Sequence, residues 1–240
     1  MDYFTSTFHI NKCIFLILIQ LSLILQARNS SHFLNKILWT DESTFTRTGV
    51  TNTRNLHLWA QENPHGVRPA RFQKEFSVNI WAGLINDKLV GPIEFPRALN
   101  GQLFLEFLTG DFFNLLDELP LYYRRHLRLQ LDGCPAHFAI RVRQHLNENF
   151  PGWIGRGAQI AWPPRSPDLT PLDFFLWGYL KEKVYATTVH SREELVRRIF
   201  TASDELKTKP EMIRKATLNV KLRAATCLQN GGGHFENKLK

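Results

Sequence analysis

Between residues 36 and 186 the hydrophobic repeat switches back and forth between two residues and about 3.6, and the order of those switches restricts the fold more than any other feature. KILWTDE, from Lys36, is a short apolar run that carries Asp41 and Glu42 at its tip. FSVNIWAGL (76–84) and KLVGPIEF (88–95) flank Asn86-Asp87, which predicts a β-hairpin. Phe104, Phe107, Leu108, Phe112 and Leu115 recur at helical steps and predict one amphipathic helix over 101–116. LRLQLD (127–132) alternates again, with Leu127, Leu129 and Leu131 on the buried side and Asp132 ending the strand on the polar side.

A second helix comes next, with Ala139, Val142, Leu146 and Phe150 as its buried stripe. AQIAW (158–162) reads as a short strand and PPRSPDLTP as a proline-rich loop. Thr170 caps the next helix with Pro171 at its first position, and Leu172, Phe175, Leu176, Tyr179 and Leu180 share one face. Ser191 and Glu194 form a capping box for another helix, and a last one begins near Pro210. Strands that precede and alternate with helices give an α/β class with a mixed sheet.

Three acids stand out in this order. Asp41 and Asp132 end predicted strands, and Asp173 opens a helix directly after a strand and loop. Such positions gather on one edge of an α/β sheet, where ligands bind. Three carboxylates with no adjoining basic run make a hard-oxygen site suited to Mg²⁺ or Mn²⁺. Two such ions activate a water or hydroxyl and stabilise the leaving oxygen in phosphodiester cleavage. Each acid also has a plain structural explanation: a solvated strand end for Asp41, an Asp-Gly turn for Asp132, and a helix-dipole partner for Asp173.

Composition narrows the partner. Against 22 Asp and Glu the chain has 30 Lys and Arg, a net charge of +8, which favours an anionic partner, nucleic acid first and acidic membrane second. Cys13, Cys134 and Cys227 are too few and too scattered for a disulfide framework. Cys134 and His137 have a two-ligand zinc spacing, but no second pair completes a tetrahedral site. Residues 13–25, CIFLILIQLSLIL, form an apolar run too short for a comfortable membrane span. It is read as foreign to the working domain, with a secretory leader as the alternative.

The stretches ILWTDESTFTRTGV, FSVNIWAGLINDKLVGPIEF, LQLDGCPAHFA and WPPRSPDLTPLDFFLWGYLKEKVY resemble the catalytic domain of mariner-superfamily transposases, members of the DDE/D group of ribonuclease H-like enzymes. The similarity runs from about Phe33 to the end, and the block from Ser166 to Trp177 is its most specific part. The resemblance implies a ribonuclease H-like sheet over 32–186, a C-terminal helical extension over 187–240, and an atypical hydrophobic segment over 1–31 where relatives carry helix-turn-helix DNA-binding modules.

It also implies that Asp41, Asp132 and Asp173 are the catalytic, metal-holding triad, occupied by two Mg²⁺ or Mn²⁺ ions. The implied activity is cleavage and strand transfer of transposon-end and target DNA in the nucleus. A homodimer is a further expectation; no small-molecule substrate or membrane partner is expected. His137 matches a family histidine, whose expected role is contact with the site or packing, packing being slightly favoured. Two departures are visible: forty residues separate Asp132 from Asp173, more than in the best-known mariner members, and Cys134 stands where relatives often have alanine.

Arg124, Arg125, Arg128, Arg141, Arg143, Lys181 and Lys183 are candidates for backbone contacts with DNA. Trp81, Trp162 and Trp177 are expected in the core. Two rival readings stay open: an inactive nucleic-acid-binding relic, and a membrane-anchored interaction protein held by residues 13–25.

Overall fold

The computed structural model describes residues 32–49, 76–162 and 166–231, together with Phe235 and Leu239. The segment 1–31, with its apolar run, lies outside the described residues. Among the described residues no helix is long and apolar enough to cross a membrane.

Strand β1 (Ile37–Thr46) pairs antiparallel with β2 (Ser77–Ile85), and β2 pairs antiparallel with β3 (Lys88–Phe95). The expected hairpin turns at Asn86, which takes the left-handed φ of 51° that asparagine tolerates. Strand β4 (Arg128–Gln130) adds to the other side of β1 in parallel, giving the sheet order β3-β2-β1-β4. The class is therefore α/β with a mixed sheet, as the alternation of periods predicts.

Helices cover both faces. On one side lie α1 (Gly101–Thr109), α2 (Asp111–Asp117), α3 (Leu121–His126) and α4 (Ile140–Asn149). Leu38, Trp81, Ile85 and Leu129 from the sheet pack there against Phe104, Phe107, Phe112 and Val142. On the other lie α5 (Trp177–Val184), α6 (Arg192–Lys207) and α7 (Pro210–Gln229). Ile37, Trp39, Phe45, Ile80 and Leu84 meet Trp177, Leu180, Ile199, Ile213 and Val220 on this face. The expected C-terminal extension is thus built into one of the two cores. Trp81, Trp162 and Trp177 are all buried, as expected.

Three expectations need correction. The helix over 101–116 is two helices, because Gly110 (φ −121°, ψ −99°) breaks the spiral while the apolar stripe carries across the break. α3, a short helix entered through Pro120, was not expected at all. The strand over 158–162 is reduced to a single bridge between Ile154 and Ile160. Ile154 takes the place beside β4, its N–H donating to Leu129 O and its O accepting from Leu131 N, both at 2.8 Å.

The Ser191 cap is present, with Glu194 N–H donating to Ser191 Oγ at 3.1 Å. The return bond goes to His190 N–H at 2.9 Å, one residue earlier than the capping box predicts. α1 begins with Asn100 Oδ1 accepting from Leu103 N–H at 2.9 Å. At Gly101 this helix comes so close to the loop before α4 that a Cβ would overlap Ala139 Cβ, a rigid neighbour.

Gly101→Ala tests this approach. The overlap should cost about 1–3 kcal/mol, more than the roughly 0.5–1 kcal/mol that alanine gains over glycine in a helix. A thermal melt is expected to fall by several degrees, at ~2–4 °C per kcal/mol for a chain of this size; an unchanged melt would show that the two segments are not in contact.

Candidate metal centre

The β1–β4 register decides where the acids meet. Ile37 pairs with Arg128 and Trp39 with Gln130, so continuing by two residues sets Asp132 level with Asp41. Just below that level the Thr40 hydroxyl donates to Gln130 O at 2.6 Å, a buried clip between the two strands. Asp132 then leaves the strand in an Asx turn, its Oδ1 accepting from Cys134 N–H at 2.9 Å. The turn reading and the site reading of Asp132 are compatible.

Asp173 arrives from a different element. Thr170 Oγ1 accepts from Leu172 N–H at 3.3 Å, and the next turn, Leu172–Leu176, is π-helical, closed by Trp177 N–H donating to Leu172 O. A π turn inserts one residue into the spiral and so shifts the phase of every later residue in the helix. The buried stripe consequently runs Leu172, Leu176, Trp177, Leu180 rather than through Phe175 and Tyr179, which are only half-buried. That shift puts the Trp177 indole over the site, where Nε1–H donates to Asp41 Oδ2 at 2.8 Å.

Asp41, Asp132 and Asp173 line one cavity of about 270 Å³, together with Thr40, Glu42, Gln130, Trp162, Ser166, Pro167 and Thr170. The carboxylates feel one another. Burial first, then the Asp173 and Glu42 charges, push Asp41 up to about 8 against the opposing Trp177 hydrogen bond. Asp173 is exposed at its surface yet raised to about 6, by partial burial and by the Asp132 charge, with Lys181 opposing. Lys181 stands within electrostatic reach of both Asp41 and Asp173, and burial lowers its own pKa. A basic group is therefore folded next to the acids although none adjoins them in the sequence.

His137 does more than pack. It is 3% exposed, its Nδ1–H donates to Asp132 Oδ1 at 2.8 Å, and Glu42 Oε1 stands 3.3 Å from Nε2, near enough for an ion pair though not aligned as a hydrogen bond. The Phe104 ring lies 4.2 Å from the imidazole between centroids. Burial alone would lower His137, but Glu42 and Asp132 outweigh it and raise the ring to about 10. For Asp132 burial pulls upward, and the His137 bond and charge with the Cys134 N–H hold it below the usual carboxylate range. Asp132, Cys134 and His137 offer atoms all within 4.8 Å of one another. With Nδ1 bonded to Asp132 and its ring held charged by the two acids, His137 offers no lone pair to a metal, so this compactness is that of a hydrogen-bonded turn.

The sequence reading missed Glu42 and His137 as a pair; the signal was there, in an acid next to Asp41 on the alternate face and a histidine five residues after Asp132. It could not find Arg223. From α7 this side chain donates to Asp168 O at 2.9 Å and lies 3.9 Å over the Phe174 ring, clamping the segment that carries Asp173 across 55 residues of sequence.

No family model matches the sequence, and no curated protein matches it. Solved structures do. The mariner Mos1 paired-end complex with Mg superposes with a TM-score of 0.73 at 19% identity, over 94% of this chain and 64% of that one. The catalytic domain of Mos1 mariner transposase superposes at 0.70 and 16% identity, over 94% of this chain and 96% of that domain. The same domain with raltegravir and Mn gives 0.70 and 16%, over 94% and 97%. The chain has the ribonuclease H-like fold of that catalytic domain. It spans 64% of the length of the chain in the paired-end complex with Mg.

The ribonuclease H-like sheet here holds carboxylates whose charging opposes folding, which gives a pH signature. Because Asp41 is raised in the folded state, its contribution to stability is full below about pH 4 and is lost as pH rises through about 8. Metal-free protein should therefore melt progressively lower from pH 5 to pH 8. Asp41→Asn, which cannot ionise, should give a flatter profile and melt several degrees above wild type at pH 8. Parallel profiles for the two proteins would show that Asp41 is not desolvated.

Proposed function

We propose that this chain is a transposase-type DNA-cleaving and strand-transferring domain that works with Mg²⁺ or Mn²⁺. The observation that carries the reading is that three aspartates from β1, from the end of β4 and from the π turn line one cavity, in a chain with the fold of the Mos1 catalytic domain.

The donor set fits such an ion. Three carboxylates offer only hard oxygens, and the burial and mutual repulsion that raise Asp41 and Asp173 are the deficit that a divalent cation relieves. Asp41, Asp132 and Asp173 would hold two ions, which when bound supply Lewis acidity toward a phosphodiester and lower the pKa of a coordinated water. The chain's own groups prepare the site. His137 and the Cys134 N–H occupy Asp132 Oδ1, which leaves Oδ2 as the free oxygen of that carboxylate. Trp177 orients Asp41 through Oδ2, and Arg223 holds the segment before Asp173. Lys181 adds a positive charge within electrostatic reach of Asp41 and Asp173, of the sign that an incoming phosphate needs.

DNA is the substrate that this reading implies, and nuclear residence goes with it. The neighbours bearing on it are a Mos1 paired-end complex with the left transposon end and a Mos1 strand transfer complex.

The test is nicking of supercoiled plasmid by the full chain with Mn²⁺. Wild type should nick, EDTA should stop it, and Asp132→Ala should show no more than the metal-free background while keeping its fold by circular dichroism. Mn²⁺ affinity should tighten about tenfold per pH unit between pH 6 and 8, as one proton is displaced from Asp41. Equal nicking by wild type and Asp132→Ala would refute the reading, and a folded wild type that binds Mn²⁺ but cuts nothing would favour the relic.

A further inference from the structure

Most basic residues of the chain are committed or scattered. Arg124 is paired with Asp117, Lys183 with Glu205 at 3.0 Å, and Arg192 with Glu94. Arg128 stacks on Phe33 at 5.6 Å and donates to Gly152 O at 3.3 Å. Arg143 and Arg156 differ. Their guanidinium carbons lie 4.4 and 4.1 Å from the centre of one ring, Phe138. Both guanidiniums therefore stack on the same ring.

The arrangement is built rather than incidental. Arg143 Nε–H donates to Phe138 O at 3.2 Å, which fixes that side chain to the turn. Gly157 has φ +88°, and a Cβ there would press to 3.2 Å on both Arg143 Cδ and Phe138 Cε2, so a glycine leaves the space that the stack fills. Among the described residues neither guanidinium has a carboxylate within ion-pair distance.

Its place in the fold matters most. Ile154 pairs in parallel with Gln130, and Arg156 follows it by two residues as Asp132 follows Gln130, both just past the paired stretch. Phe138 directly succeeds His137, whose ring bonds Asp132. Phe138 thus ties two cations to the turn that carries Asp132, while Lys181 lies within electrostatic reach of Asp41 and Asp173.

We infer that Arg143 and Arg156, aligned by Phe138, form a seat for neighbouring backbone phosphates of the DNA strand that runs past the cavity. A stacked guanidinium keeps its edge N–H donors free for phosphate oxygens while its flexibility is already spent on the ring. Backbone contacts of this kind position a strand without reading its sequence. The inference rests on the proposed DNA-cleaving function and adds the residues that receive the strand.

Fluorescence anisotropy of a labelled duplex with the full chain, in EDTA and over a range of salt, tests it. Arg156 is exposed, so Arg156→Ala should fold as wild type and weaken binding severalfold, lowering the slope of log affinity against log salt by about 1. The double variant Arg143→Ala/Arg156→Ala should lower it by about 2. Lys215→Ala, an exposed change on α7, serves as the control and should leave the slope alone. Wild-type binding with an unchanged slope in the folded Arg156→Ala and double variants overturns the seat and spares the DNA reading. No binding by wild type itself overturns both.

Discussion

The parallel pairing of β1 with β4 is the constraint on which the site depends. It is only three residues long, yet it sets Asp132 level with Asp41 although 90 residues lie between them. A slip of one residue would turn Asp132 to the opposite face, away from the cavity it shares with Asp41 and Asp173. The pairing is held by more than its ladder. Thr40 clips the two strands by a side chain, Ile154 closes the far edge of β4 with two short backbone bonds, and Leu129 and Leu131 bury the strand on the face of α1 and α4.

Around that pairing the chain assembles more negative charge than a fold holds comfortably and then distributes it. Asp132 is kept ionised by an imidazolium that is itself sustained by Glu42, so two acids and one base share a compact hydrogen-bonded turn. Asp41 is left to carry the cost of burial and repulsion, softened by one indole N–H. Asp173 comes on a π turn whose extra residue is what brings Trp177 to Asp41. Local irregularity and site geometry are in this case the same feature: an uninterrupted α-helix from Pro171 would point a different residue at the acid. Backbone irregularities of this sort persist where the surroundings over-determine them, and the packed Leu172, Leu176 and Leu180 do so here.

Much of the architecture was legible because hydrophobic period reports the solvent on each side of an element. The hairpin, the Asp132 strand, the stripe of Val142, Leu146 and Phe150, and the caps at Thr170 and Ser191 all arise from residues within one or two turns of each other. Two misreadings were local, the break at Gly110 and the short helix entered through Pro120; the others had a non-local cause. The 158–162 segment has strand-like composition, but Ile154 had already taken the edge of β4. The stripe after Thr170 looked like Leu172, Phe175 and Tyr179 until the π turn changed its phase. His137 looked like a core histidine because its two carboxylate partners come from different strands.

The sequence by itself determined most of the strands and helices and that three aspartates stand at the ends or beginnings of such segments, since both depend on short-range pattern and side-chain chemistry. Only the tertiary structure decided that the three share a cavity, that Lys181, His137 and Glu42 set their charge, and that α7 reaches back through Arg223 to steady the loop before Asp173. Those outcomes depend on register and packing between residues far apart in the chain, and the energy of such contacts belongs to the assembled fold rather than to any one segment.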